Sequence, residues 1–229
     1  MKKPEKMFGL GEKNLTSDEI KQCGTVKKNH FTRNRKINFY KLILLIMSIL
    51  KRANQIDIDD IIKKLGFKID AEMTYTKQAF SEARQKLSPN AFKYLIDSFV
   101  RDYYGDGEFK KYKKFILFAI DGCVHEIPNT IENRKIYGYS NNVQKAELAR
   151  ALTGSMYDLE NRLIVSSTFG RYDGSERENA KIMIEKSLEL LPQTERSLVI
   201  FDRGYPSIEF INYLNIKGVS FLMRVASVK

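Results

Sequence analysis

Two short apolar runs, each leading into an aspartate, constrain the fold of this chain more than any other feature. Phe115-Ile116-Leu117-Phe118-Ala119-Ile120 leads into Asp121, and Leu198-Val199-Ile200-Phe201 leads into Asp202. Runs of this length, rich in Ile, Val and Phe, read as buried strands. A carboxylate at the end of such a strand stands on the rim of a sheet, with rigid backbone behind it. Two of them on neighbouring strands are able to share a divalent cation. One alone more commonly caps the turn that follows.

Around these runs the first half of the chain reads as helical. Residues 1–35 are polar and basic without a clear period and read as a loosely ordered lead-in. Ile37 to Leu50 is apolar and long enough for a buried helix. Ile56 to Gly66 starts acidic, ends basic and stops at glycine, which suits a helix dipole. Thr76 to Lys86 places Ala79, Phe80, Ala83 and Leu87 on one helical face. Ser88-Pro89 opens a further helix, with Ser88 as N-cap and Pro89 in the first helical position. Gly105-Asp106-Gly107 ends that helix and marks the expected domain boundary, giving domains of residues 1–108 and 109–229.

The second half alternates strands and helices. Residues 122–147 read as loop. Ala149–Tyr157 and Leu163–Phe169 read as a hairpin. Ser175 then caps a helix with Ala180, Ile184, Leu188 and Leu191 on its apolar face. Strand 198–201, a helix from Ser207 to Ile216 and a strand from Val219 to Val225 complete the order. Three early strands make an antiparallel meander, and the helix-linked strands add in parallel. This predicts an α/β (α+β) RNase H-like fold, a mixed five-stranded sheet with flanking helices behind an all-helical N-terminal domain. In that arrangement the first and fourth strands are neighbours, and Asp121 and Asp202 converge.

Charge narrows the partner. Lys and Arg outnumber Asp and Glu by 39 to 28, a net charge of +11. Such an excess suits a polyanion, most often nucleic acid. Cys23 and Cys123 lack metal-binding spacing and read as reduced thiols. No apolar segment directly follows the N-terminal Met1 to Lys6, so no signal peptide is expected. The longest apolar stretch, Leu42 to Leu50, falls far short of the roughly 20 residues of a membrane span. A basic chain carrying a convergent carboxylate pair points to phosphodiester chemistry. Mg²⁺, a hard octahedral cation, takes carboxylate, phosphate and water oxygens, and Asp121 and Asp202 would be its ligands rather than general bases.

The residues around both aspartates resemble those of the DDE transposases of the IS-four group of bacterial insertion sequences. Phe118-Ala119-Ile120-Asp121-Gly122 is similar to the family's first acidic block, with Cys123 where Ser is common. Phe201-Asp202-Arg203-Gly204-Tyr205 is similar to the second and is the more specific motif. Tyr157-Asp158, Ser175-Glu176-Arg177-Glu178 and Phe221-Leu222-Met223-Arg224 resemble the intervening and trailing segments. Phe31 to Arg35 and Gln78 to Ser88 resemble the N-terminal helical region. The resemblance implies DNA strand cleavage and strand transfer with Mg²⁺ or Mn²⁺, with Asp121 and Asp202 as catalytic metal ligands. It also implies transposon-end and target DNA as partners, a homodimer on DNA, no membrane association, and a cytoplasmic, nucleoid-associated bacterial protein. The family's third acid is a glutamate in a later Tyr…Arg…Glu…Lys signature. No such spacing follows Asp202, and Glu209 comes too early, so a truncated site is expected. Glu126 and Glu147 are read as surface residues rather than substitutes.

For DNA contact the candidates are Arg33, Arg35 and Lys36, then Lys77, Arg84 and Lys86 on one helix, and Arg203 beside Asp202. Lys110, Lys111, Lys113 and Lys114 form a further run around Tyr112. Phosphate contacts need only clustered cations on a presenting element. Two other functions stay open at this stage. One is a non-enzymatic, DNA-binding or dimerising inhibitor derived from a transposase, and the other is a stand-alone nuclease of the same fold.

Overall fold

The computed structural model describes residues 3–33, 35, 37–48, 76–141 and 146–225. The chain divides into two compact units, Met1–Phe99 and Val100–Lys229.

The first unit begins with α1 (Lys3–Leu15) and α2 (Asp18–Cys23), where the sequence suggested a loose lead-in. Ser17 accepts a hydrogen bond from the Ile20 amide at 3.5 Å, and Asp18 and Glu19 follow it in the first turn. That is an ordinary helix start. It escaped a periodicity reading because α2 has six residues and buries only Ile20. The helix stops at Gly24, where a Cβ would meet the Ile20 carbonyl oxygen at 2.5 Å, Ala91 at 2.7 Å and Phe39 at 2.8 Å. Only glycine permits that approach.

Then come α3 (Phe39–Ser48), α4 (Lys77–Arg84) and α5 (Asn90–Gly105). Ile20, Phe39, Leu42, Ile43, Leu45, Phe80 and Ala91 share one core. Thr76 caps α4 through the Ala79 amide at 3.1 Å. Phe80, Ala83 and Leu87 are buried while Ala79 is exposed, so the buried face is i, i+3, i+7. Ser88 accepts from the Asn90 amide at 3.3 Å, which starts α5 after Pro89. The division between the units falls inside α5, upstream of Gly105-Asp106-Gly107. The helix expected at Ile56–Gly66 lies outside the described residues.

The second unit is built on β1 (Phe115–Glu126), β2 (Tyr139–Asn141), β3 (Glu147–Asp158), β4 (Leu163–Arg171), β5 (Arg196–Phe201) and β6 (Ser220–Met223). The sheet order is β2-β3-β1-β5-β6, with β4 also on β3. β3 is antiparallel to β1, β2 and β4, while β5 is parallel to β1 and to β6. The meander and the parallel addition are therefore both present, and β2 adds a short sixth strand. This is the mixed α/β, RNase H-like arrangement.

Two readings of this half need correction. Within the stretch read as loop, residues 122–141 carry regular structure. β1 continues to Glu126, α6 (Ile131–Tyr137) follows its cap Thr130, and β2 comes after Gly138 at φ 90°. Asp121 accordingly lies inside β1, not at its end. The apolar run marked only the part of β1 flanked on both sides. Pairing with β5 ends at Ile120↔Phe201, whereas pairing with β3 runs on to Glu126↔Arg150. With one neighbour lost, side chains beyond Ile120 meet water and the sequence turns polar.

Two further helices, α7 (Glu176–Leu190) and α8 (Ile208–Ile216), accompany the sheet. Ser175 and Ser207 cap them through the amides of Glu178 at 3.3 Å and Phe210 at 3.1 Å. The buried face of α7 is Ala180, Met183, Ile184, Ser187 and Leu190, rather than one that includes Leu188 and Leu191. It lies close over the sheet. A Cβ at Gly154 would meet Thr168 Oγ1 at 2.7 Å and Met183 Cε at 2.8 Å.

The turn from β3 to β4 is held by a buried polar network. Asp158 accepts from the amides of Glu160 at 2.9 Å and Asn161 at 2.8 Å, and from the Tyr104 hydroxyl. Burial first, and then the Asp158 charge, push the Tyr104 phenol far above its usual range. Among the described residues no helix is long and apolar enough to cross a membrane.

Candidate functional site

Asp121 and Asp202 each follow the last registered pair of β1 and β5, Ile120 with Phe201. Parallel neighbours lie roughly 4.8 Å apart, so Asp121, still within β1, and Asp202, just past the end of β5, sit at adjacent backbone positions. Both are exposed. Asp121 Oδ1 accepts from the Gly122 amide at 2.9 Å. Among the described residues neither carboxylate is in an ion pair, in a chain of net charge +11.

The loop after Asp202 is fixed from two directions. Tyr205 is 2% exposed and packs on Phe201 and Phe210, with ring centroids 5.2 and 6.2 Å away. Its amide donates to the Asp202 carbonyl at 3.2 Å. From the first turn of α7, Arg177 donates to the carbonyls of Tyr205 at 3.1 Å and Gly204 at 3.3 Å. A guanidinium fork on two successive carbonyls sets the position of the loop. Sequence reading noted Arg177 only as part of a family-like segment. Its role depends on α7 starting beside β5, which no spacing reveals.

A third carboxylate stands nearby. Glu176 lies over Gly122, where a Cβ would meet its Oε1 at 3.0 Å. Burial pushes the Tyr205 phenol well above its usual range, and the charges of Glu176, Asp121 and Asp202 add to that shift, in that order. Side chains alternate along β1, so Gly122 faces α7 and Asp121 faces the other way. Glu176 and Asp121 flank the strand rather than share one face. Among the described residues no group of three His, Cys, Asp or Glu is placed to hold one metal ion. Asp121 and Asp202 offer hard carboxylate oxygens on a solvent-open rim. That fits Mg²⁺ or Mn²⁺, since Mg²⁺ commonly takes one or two carboxylates and completes its shell with water and phosphate.

Other acids are committed elsewhere. Glu126 pairs with Arg150 at 3.2 Å, Glu147 with Arg134 at 3.4 Å, and Glu209 with Lys181 at 3.0 Å. His125 is exposed on β1.

The cationic candidates separate. Arg33, Arg35 and Lys86 line one cavity of about 610 Å³ in the first unit. Lys77 and Arg84 are exposed at the two ends of α4 and are not on its wall. Lys36 lies outside the described residues. Arg203 is exposed beside Asp202. In the 110–114 run, Lys111 is taken by Glu195 at 2.6 Å.

Compared with curated proteins, the chain is 21% identical over 206 residues to the transposase InsG of insertion sequence element IS4 from Escherichia coli (strain K12). It is similar to a transposase. The match covers 89% of this chain and 44% of that protein, so the chain spans less than half the length of the curated relative. Among solved structures it is similar to the piggyBac transposase in a synaptic complex with hairpin DNA. That likeness has a TM-score of 0.51 at 11% identity and covers 97% of this chain and 51% of the other. It is a likeness of fold. The Mos1 mariner paired-end complex with Mn aligns with a TM-score of 0.34 at 9% identity, over 94% of this chain and 66% of that one. No family model matches the chain.

Proposed function

We propose that the chain is the strand-cleaving and strand-transferring part of an insertion-sequence DNA transposase, in which Asp121 and Asp202 hold Mg²⁺ or Mn²⁺. The observation that carries this reading is the pair itself. Two exposed carboxylates follow adjacent register positions of β1 and β5 and lack a described cationic partner, in a chain similar to a transposase. A divalent ion held by Asp121 and Asp202 would make a bound water or a DNA 3′-hydroxyl more acidic and would stabilise the leaving oxygen.

The protein residues do the positioning. β1 presents Asp121 from a strand paired on one side, and Arg177 and Tyr205 hold the backbone that carries Asp202. Arg203 is free to meet a phosphate of the bound strand. Basic residues of the first unit contact the DNA of transposon ends and target, and two copies act together on it.

Titration with Mn²⁺ by isothermal calorimetry, with a DNA duplex present, tests the reading. The wild-type chain is expected to bind the ion, and Asp121→Asn with Asp202→Asn to lose at least about a hundredfold in affinity. Salt-sensitive DNA binding is expected to persist in that variant. Unchanged Mn²⁺ affinity in the double variant would remove the pair from the reading.

A further inference from the structure

The cavity of the first unit is the strongest feature that the carboxylate pair leaves unused. His30, Phe31, Arg33 and Arg35 form one wall, and Glu82 and Lys86 stand on the other. The walls are tied together. The Val26 amide donates to the Lys86 carbonyl at 3.0 Å, the Ser88 amide to the Gly24 carbonyl at 2.8 Å, and Thr25 bridges Leu87. The cavity is therefore preformed rather than a gap between loose loops.

Its described lining is net positive. Among the described residues Arg33, Arg35 and Lys86 make no ion pair. Glu82, the single carboxylate on the wall, accepts the Gln78 amide at 3.0 Å. Three cations set against one carboxylate leave the described lining net positive, which favours an anion. Phe31 is held at φ 57°, in the left-handed region, edge-on to Phe39 with centroids 5.5 Å apart. A bulky residue is strained there, and such strain collects at binding sites.

Shape then limits the anion. Duplex grooves, about 12 Å wide on the major side, are read by elements that protrude into them. A concave site of about 610 Å³ reads the opposite way, and cavities of roughly 300–1,000 Å³ enclose small-molecule-sized groups. Guanidinium forks suit phosphate, and aromatic or guanidinium faces suit an unstacked base.

We propose that this cavity takes one unpaired nucleotide from the end of a DNA strand. Arg33, Arg35 and Lys86 hold its phosphate and Phe31 lies beside its base. The inference rests on the DNA reading above and specifies which part of the DNA this unit engages. The same chemistry would suit a free mononucleotide, and the test separates the two sources.

Fluorescence anisotropy on the full chain, in EDTA, compares a blunt duplex with one carrying three unpaired terminal nucleotides. The unpaired end is expected to bind at least fivefold more tightly. Arg33→Ala with Arg35→Ala is expected to bring that ratio within twofold, and Glu82→Gln to raise affinity for the unpaired end two- to threefold. Because Arg33, Arg35 and Glu82 are exposed, the helical circular-dichroism signal is expected to stay that of the wild type. Equal binding of both duplexes overturns the inference but leaves the DNA reading standing. A preference that survives the double substitution also overturns it. Displacement of the unpaired-end duplex by dAMP at micromolar concentration assigns the cavity to a free nucleotide and overturns the strand-end source. Failure to bind either duplex at low salt sinks the DNA reading itself.

Discussion

The cavity of the first unit and the sheet rim of the second leave opposite charges unpaired. In the cavity, Arg33, Arg35 and Lys86 have no described carboxylate partner. At the rim, Asp121, Asp202 and Glu176 have no described cationic one. Several cations of the second unit are answered: Lys111 by Glu195, Arg134 by Glu147, Lys181 by Glu178 and Glu209, and Lys217 by Glu185. Net charge is therefore a poor guide to where a basic protein meets its partner. Unpaired charge gathered at one place is the better one, because a paired charge is already partly satisfied within the folded chain.

The supports differ as well. The rim rests on a sheet and on α7, whose approach depends on Gly154. The largest expected effect lies there. Gly154→Val drives a branched side chain into Thr168 and Met183, and overpacking of this kind costs about 1–3 kcal/mol. Urea unfolding is expected to show a midpoint lowered accordingly. A neutral result would mean that α7 slides freely over the sheet, and the rim would then be no more rigid than any loop.

Next is Arg177→Ala. It leaves Asp121 and Asp202 in place but frees the carbonyls of Gly204 and Tyr205. Mn²⁺ affinity is expected to fall about tenfold, equivalent to about 1.4 kcal/mol, with Arg177→Lys recovering part of it. An unchanged Mn²⁺ affinity would assign Arg177 to folding alone.

The smallest expected effect sharpens the contrast between answered and unanswered cations. Lys217, 3.0 Å from Glu185, is already satisfied, and its presence holds the Glu185 carboxyl below the usual range. Lys217→Ala is expected to change DNA affinity less than twofold in an anisotropy titration. A loss above fivefold would break the rule drawn from the comparison.

Much of the fold was legible in the sequence because its signals are local. The Ser175 and Ser207 caps and the stop at Gly218 (φ 67°) are short-range chemistry. The apolar runs of β1 and β5 report two-sided burial directly. What escaped reading lacked such a signal. α2 and α6 are too short for a period and show only caps. The second half of β1 is polar because it has one neighbour, and polarity alone looks like loop.

The site divides in the same way. Asp121 and Asp202 were marked by the residues that precede and follow them, since a buried strand giving way to a carboxylate is visible in one dimension. Arg177, Glu176 and the Gly122 beneath it were not. Their roles come from the N-terminus of α7 meeting the ends of two strands, and sequence separation carries no trace of that. Of the cations expected near DNA, the sequence could name the residue type but not the grouping. Only the packing of residues 29–33 and Arg35 near α4 gathers Arg33, Arg35 and Lys86 while leaving Lys77 and Arg84 apart. The sequence by itself determined the order of the five longer strands, the starts of α4, α5, α7 and α8, and the acidic pair, because hydrophobic burial and capping act over a few residues. The tertiary structure decided which charges find partners and which stay available, because pairing depends on distances that only the folded chain sets.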